Sequence, residues 1–203
     1  MSEPEVERML EHVYTQFRDR HADIDAVLMA NYKTAMEVIG EPRFVSRKRK
    51  LLIKALHDVA EEAGLATTVA ENPERVRELH VAMVGTRAMR ALNVQFLEHD
   101  WPTDVLAFDM REDDDAKIPS AAPENDLIGE VYVCPQVARR ACREYNTSVT
   151  YELMLYIVHG LLHLAGERDK NARERQRMKR REQEIMNVLQ NRYDLNSIFD
   201  CSK

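Results

Sequence analysis

The stretch HGLLHLAGERD, His159 to Asp169, decides how this chain is read. Two histidines stand four apart in an apolar run, so on a helix their side chains share one face a turn apart. Imidazoles placed this way reach a single cation, at about 2.0–2.1 Å if the cation is zinc. Gly166 comes three residues later and lets the chain leave the helix sharply; Asp169 comes three residues after that. A turn there carries the aspartate back over the helix as a third, oxygen ligand. The spacing H-x-x-x-H-x-x-G-x-x-D is the metzincin arrangement with aspartate in place of the third histidine. Three protein ligands leave one zinc position open for water or substrate, which marks a catalytic rather than a structural site. His159, His163 and Asp169 are therefore the expected ligands of one Zn2+ per chain. The bland alternative, two hydrogen-bonded core histidines, explains the pair but not the glycine and aspartate after it.

In zinc proteases a glutamate follows the first histidine and serves as general base. Here that residue is Gly160, which has no side chain for acid–base work. Peptide hydrolysis fails at its most informative position, whereas a metal could still polarise a phosphate.

Working outward, Ser148 is a good N-cap for the histidine helix, with Glu152 in its first turn favoured by the helix dipole, and Gly166 is a good C′ residue. A charged helix is expected over about 171–190. Upstream, LIGEVYV is a strand bounded by Pro135, and a short helix follows to about Tyr145. DVLAFDM and Glu78–Val84 are two further strands, with a short helix capped by Thr86 between them. Ser46 to Ala63 is a helix with Leu51, Leu52, Ala55, Leu56 and Val59 on its apolar face, ended by Gly64. Residues 66–76 and the acidic, proline-bearing 111–126 are loops. Residues 4–20 have amphipathic helical spacing. Residues 24–39 are mostly helical in spacing, with a short strand near 36–40 as the alternative. This order implies an α/β (α+β) fold: a small mixed sheet with flanking helices and extra helices at the N-terminus.

The chain has 203 residues, 44% of them apolar and 32% charged, with a formal net charge of −6. Proteins that coat nucleic acid nonspecifically are usually basic, so any RNA contact here must be local. Three cysteines without paired metal spacing fit free thiols in a reducing cytosol. The acidic start MSEPEVERMLEHV has no apolar core of a signal peptide, and no apolar run approaches a membrane span. A cytoplasmic protein without a membrane partner is expected.

Three ordered motifs resemble the YbeY family of metal-dependent endoribonucleases. HGLLHLAGERD is similar to the family's H-G-x-L-H-L-x-G-x-x-H. LNVQFLEHDWPTDVLAF, Leu92 to Phe108, is similar to L-N-x-x-[YF]-x-x-x-D-x-P-T-[DN]-V-L-[SA]-F. LIGEVYVCPQVA, Leu127 to Ala138, resembles the family strand that ends in proline and enters a helix. The resemblance covers about residues 45–190. It implies a zinc helix beside a small sheet, cleavage of single-stranded RNA, maturation of small-subunit rRNA at its 3′ end, and ribosome quality control. Implied partners are rRNA and the small subunit or its assembly factors, with no DNA expected. Residues 1–42 are read as an N-terminal helical extension and 43–203 as the endoribonuclease domain. Two departures stand out: Asp169 replaces the family's third histidine, and Leu97 replaces an arginine that would clamp phosphate. Glu167 also replaces the family's tyrosine. A ribosome-assembly protein that keeps the metal but has weak chemistry is the alternative reading.

Other residues carry two readings each. Asp104 contacts the cleft or, the preferred reading, organises the loop. Glu130 reaches the cleft or, again preferred, faces solvent. Glu152 is a cap-region charge rather than a base. His99 lines the cleft or is simply exposed. Trp101 stacks a base or covers the core. The basic runs Arg43–Lys50 and Arg168–Glu182 track an RNA backbone or, for the second, form a solvated face laced with ion pairs. No residue is assigned as general base.

Overall fold

The structure is a computed structural model, and it describes residues 33–39, 49–65, 76–111 and 125–199. Four strands form one mixed sheet: β1 (Lys33–Ile39), β2 (Val76–Val84), β3 (Val105–Asp109) and β4 (Asn125–Val133). The spatial order is β1-β2-β4-β3; β1, β2 and β4 run parallel, and β3 is antiparallel to β4. Among the described residues there are five α-helices: α1 (Arg49–Ala63), α2 (Thr86–Leu97), α3 (Pro135–Glu144), α4 (Val149–Leu164) and α5 (Ala172–Arg192), followed by a short 3-10 turn at Leu195–Ser197. The expected small mixed sheet with flanking helices is what the chain adopts. The expected helices over 4–20 and up to residue 32, like the Ser46 cap, lie outside the described residues. No helix among the described residues is long and apolar enough to cross a membrane.

The mainly helical reading of 24–39 needs correction over Lys33–Ile39. All seven residues pair in parallel with β2, from Lys33 opposite Glu78 to Ile39 opposite Val84. Helical spacing in a short apolar run cannot see a ladder partner more than forty residues away, and tertiary pairing overrides it. A second, smaller correction falls at Thr86. Gly85 occupies the N-cap position without a side-chain bond, and Thr86 is the first helical residue.

Strand alternation divides the interior into two unequal cores. Leu79, Val81, Met83, Val131 and Val133 face one way and meet α1, α4 and α5 in the larger core. Ala82, Val84, Leu106, Tyr132 and Cys134 face the other way and form a smaller core with Met89 and Leu92 of α2, with Ala88, Phe108 and Val137 packed at its margin. Helix α4 lies flush on the larger side because two glycines permit it. A Cβ on Gly160 would come 2.7 Å from Val131 Cγ1 and 3.1 Å from Val105 Cγ2. A Cβ on Gly129 would come 2.7 Å from the Phe108 carbonyl and 2.9 Å from the Leu164 methyls. This supplies a structural reason for the residue after the first histidine: a glutamate there would be driven into the sheet.

Candidate metal centre

Both ends of α4 are fastened as its sequence predicts. The Ser148 hydroxyl accepts from Tyr151 N at 3.1 Å. Glu152 is buried and accepts from the Thr147 hydroxyl, so it serves the start of the helix. At the other end Gly166 has φ +90, the left-handed conformation that favours glycine. Gly166 N donates to His163 O and Glu167 N donates to Leu162 O, both at 2.9 Å. This pair of bonds is the Schellman motif, and it reverses the chain within two residues.

That reversal brings Asp169 back to the histidines. His159 Nε2 and His163 Nε2 are 3.0 Å apart, and Asp169 Oδ2 is 4.0 Å from each. The centre of such a triangle lies about 2.2 Å from each corner, at the length of zinc–nitrogen and zinc–oxygen bonds. All three side chains are partly exposed, so the group opens to solvent on one side.

The other ring nitrogens show which atoms are free to ligate. His163 Nδ1 donates to the Glu167 carbonyl at 2.9 Å, and a carbonyl can only accept. His159 Nδ1 donates to Glu182 Oε1 of α5 at 2.6 Å. Each neutral ring then carries its lone pair on Nε2, and both lone pairs point into the same small volume. Two lone pairs 3.0 Å apart repel unless a proton or a cation lies between them. The donor set therefore fits a divalent metal ion, with two imidazoles and one carboxylate. Burial pushes the His159 pKa down, but the Glu182 hydrogen bond and charge, with Asp104 and Asp169 adding, leave it raised overall.

Glu182 went unnoticed in the sequence, although a signal was present. It stands on the apolar stripe of α5, among Met178, Ile185, Met186 and Leu189, where a carboxylate is out of place without a partner. Other charges of α5 are equally purposeful. Arg177 Nε donates to Glu167 Oε2 at 2.6 Å, and Arg175 Nη1 donates to the Asp169 carbonyl at 3.2 Å. The helix read as a solvated face thus also holds the turn that bears Asp169. A concavity of about 720 Å³ on its outer side is lined by Arg173, Arg177 and Arg180 together with Asn171, Glu174 and Gln176.

The remaining candidates separate. Asp104 organises its loop: Oδ1 accepts from Val105 N and from the Thr103 hydroxyl, both at 2.9 Å. Its charge is nonetheless felt by His159. Glu130 does not face solvent as a plain strand residue. It accepts from the Tyr132 hydroxyl at 2.8 Å and lies 3.5 Å from His80 Nδ1, because β4 is an interior strand with neighbours on both sides. Trp101 does not cover the core, and Leu97 is 51% exposed. A second group, His57, Asp58 and Glu61, lies on the surface of α1. Its Asp58 already accepts from Arg192 and from the Tyr193 hydroxyl, which ties α1 to the end of α5.

The profile of the family described as endoribonuclease YbeY matches residues 43–190. Proteins named Endoribonuclease YbeY are similar in sequence. One from Thermotoga maritima is 37% identical over 100 residues, 47% of this chain and 59% of that relative. One from Chlorobium luteolum is 31% identical over 126 residues, 62% of this chain and 84% of the relative. One from Pelotomaculum thermopropionicum is 34% identical over 137 residues, 67% of this chain and 88% of the relative. The similar stretch thus spans little more than half the length of the first relative and most of the other two. A solution structure of a Thermotoga maritima protein is 26% identical, with a TM-score of 0.48 over 83% of this chain and 99% of that one. By the profile match across most of its length, the chain belongs to the YbeY family.

Proposed function

We propose that this chain is a cytoplasmic, zinc-dependent endoribonuclease that cuts single-stranded RNA, acting in small-subunit rRNA 3′-end maturation and ribosome quality control. The observation that carries this reading is the convergence of His159 Nε2, His163 Nε2 and Asp169 Oδ2, with both Nδ1 atoms already committed. Those three atoms would hold the ion. The chemistry it supplies when bound is Lewis-acid polarisation of a phosphoryl oxygen. The chain's own part is to fix the ligands: Glu182 orients one imidazole, the Glu167 carbonyl orients the other, and Arg175 holds the backbone of Asp169. The arginines of the 720 Å³ concavity offer local positive charge to the strand on an acidic chain. Metal-loaded protein should cleave unstructured RNA, and His159→Ala should lose both the bound zinc and the cleavage. Equal, slow cleavage by the two proteins would identify a contaminant as its source.

A second reading is favoured by one observation, the exposed Leu97 in place of the family's arginine. On it the chain is a catalytically weak ribosome-assembly factor that keeps the metal for structure. Leu97→Arg should then raise cleavage, and an unchanged rate would remove that argument. A peptide hydrolase is disfavoured by the packing at Gly160, which leaves no room for a base at that position.

A further inference from the structure

We propose that the stacked pair His99 and Trp101 is a nucleobase platform, seating one unpaired base of an RNA strand next to the metal centre. This rests on the reading of the chain as a ribonuclease of single strands. The two rings are 4.6 Å apart with 21° between their planes, an offset stack. Trp101 is 57% exposed, so this large apolar ring is left open to water. Isolated exposed aromatics usually sit on loosely held loops. Here the loop is fastened at several points. Asn93, 1% exposed, donates from Nδ2 to the Trp101 carbonyl at 2.7 Å. The Asn93 carbonyl accepts from both Glu98 N and His99 N. Arg90 grips Asp100 through two hydrogen bonds, at 2.8 and 2.6 Å. The backbone under the rings is thus tied down while the rings project outward, the arrangement of a preorganised contact.

Position connects the platform to the centre. Four residues after Trp101 comes Val105, whose Cγ2 packs 3.1 Å from where a Cβ on Gly160, the neighbour of His159, would stand. At about 3.3–3.6 Å per residue, the chain from Trp101 to that contact spans at most about 14 Å. The open aromatic stack, not charge, favours an unpaired RNA base over protein as the occupant. With Leu97 where a cation would clamp phosphate and a net charge of −6, the chain gains little from counterion release. Base stacking supplies affinity that does not depend on charge, and it accepts any base because every base has a π face. It therefore suits a single-strand site on an acidic protein.

Trp101 is the chain's one tryptophan, so fluorescence excited on the red edge, beyond the absorption of the seven tyrosines, reports on it alone. Zinc-loaded full-length protein is titrated with an unstructured 2′-O-methyl oligoribonucleotide and with an abasic strand of equal length. The intact strand should quench Trp101 saturably, and the abasic strand should bind about tenfold more weakly with little quenching. Trp101→Ala should weaken binding of the intact strand by a similar factor, Trp101→Phe should retain most of it, and both should unfold within a degree or two of wild type. Binding without quenching, equal binding of the two strands, or unchanged affinity in Trp101→Ala would overturn the platform. A fluorescence response to ribosomal protein or to self-association, with none to RNA, would overturn it in favour of a protein contact. Cleavage of an unmodified strand of the same sequence, measured alongside, separates the two readings. Quenching without cleavage removes the nuclease and leaves the platform; cleavage without quenching does the reverse.

Discussion

The two faces of the sheet are built on different principles. The face under α4 is a continuous apolar core that extends through α1 and α5, with Leu153, Ile157 and Leu161 fully buried. The face under α2 has a small core and then becomes polar, with Glu130 held by Tyr132 and His80, and exposed aromatics on the loop beyond. Close packing is concentrated behind the histidines, where candidate ligand positions must hold to fractions of an ångström. The other face bears the more open, polar surface that a long, variable substrate could use.

This contrast should break first at the interior of α4. Leu161→Ala should cost about 2–5 kcal/mol in denaturant unfolding, because a close-packed site leaves a cavity. Val94→Ala, on the exposed side of α2, should stay within about 0.5 kcal/mol. Equal losses would mean that the two faces are not energetically distinct.

Gly160→Ala comes next. Its methyl would press on Val131 and Val105, costing about 1–3 kcal/mol and lifting the histidines off their positions. Unfolding and zinc titration should both register the change, and a normal zinc affinity would show that α4 tolerates displacement.

Glu182→Gln keeps shape and volume but removes the charge on His159 Nδ1. Zinc affinity measured by chelator competition should fall about tenfold, with little change in the unfolding midpoint. An unaltered affinity would reduce Glu182 to a packing residue.

The smallest effect belongs to the polar side. Burial pushes the Glu130 carboxyl up, but His80 and Tyr132 more than offset this and leave its pKa below the ordinary glutamate value. A depressed carboxyl contributes stability above its unfolded pKa and loses it as pH falls through the folded value. Tyr132→Phe should therefore cost about 1 kcal/mol at neutral pH and flatten the acid limb of the stability profile. An acid limb that keeps its slope would place the acid-sensitive group elsewhere.

The candidate metal ligands were legible because their determinants are local. Two histidines at helical spacing, a glycine for the left-handed turn and a carboxylate three residues on are all contained in eleven residues. The strands of the sheet were legible where alternation was strong, as in β2 and β4. Lys33–Ile39 was misread as mainly helical because its strand character comes from a partner distant in sequence. Glu130 was misread because an isolated glutamate in a strand gives no hint that both its neighbours are paired. The two readings left open at Trp101 could not be decided from its identity, since a tryptophan is equally at home in a core and on a binding surface.

By itself, then, the amino-acid order determined the helix, the turn and the three side chains that converge, since backbone periodicity and turn conformation act over a few residues. Only the tertiary structure decided that Glu182 from another helix orients His159, that Gly160 is required by the sheet beneath it, and that the Trp101 ring faces solvent. Each of these depends on contacts between segments far apart along the chain, and such contacts exist only once the sheet and its helices have packed.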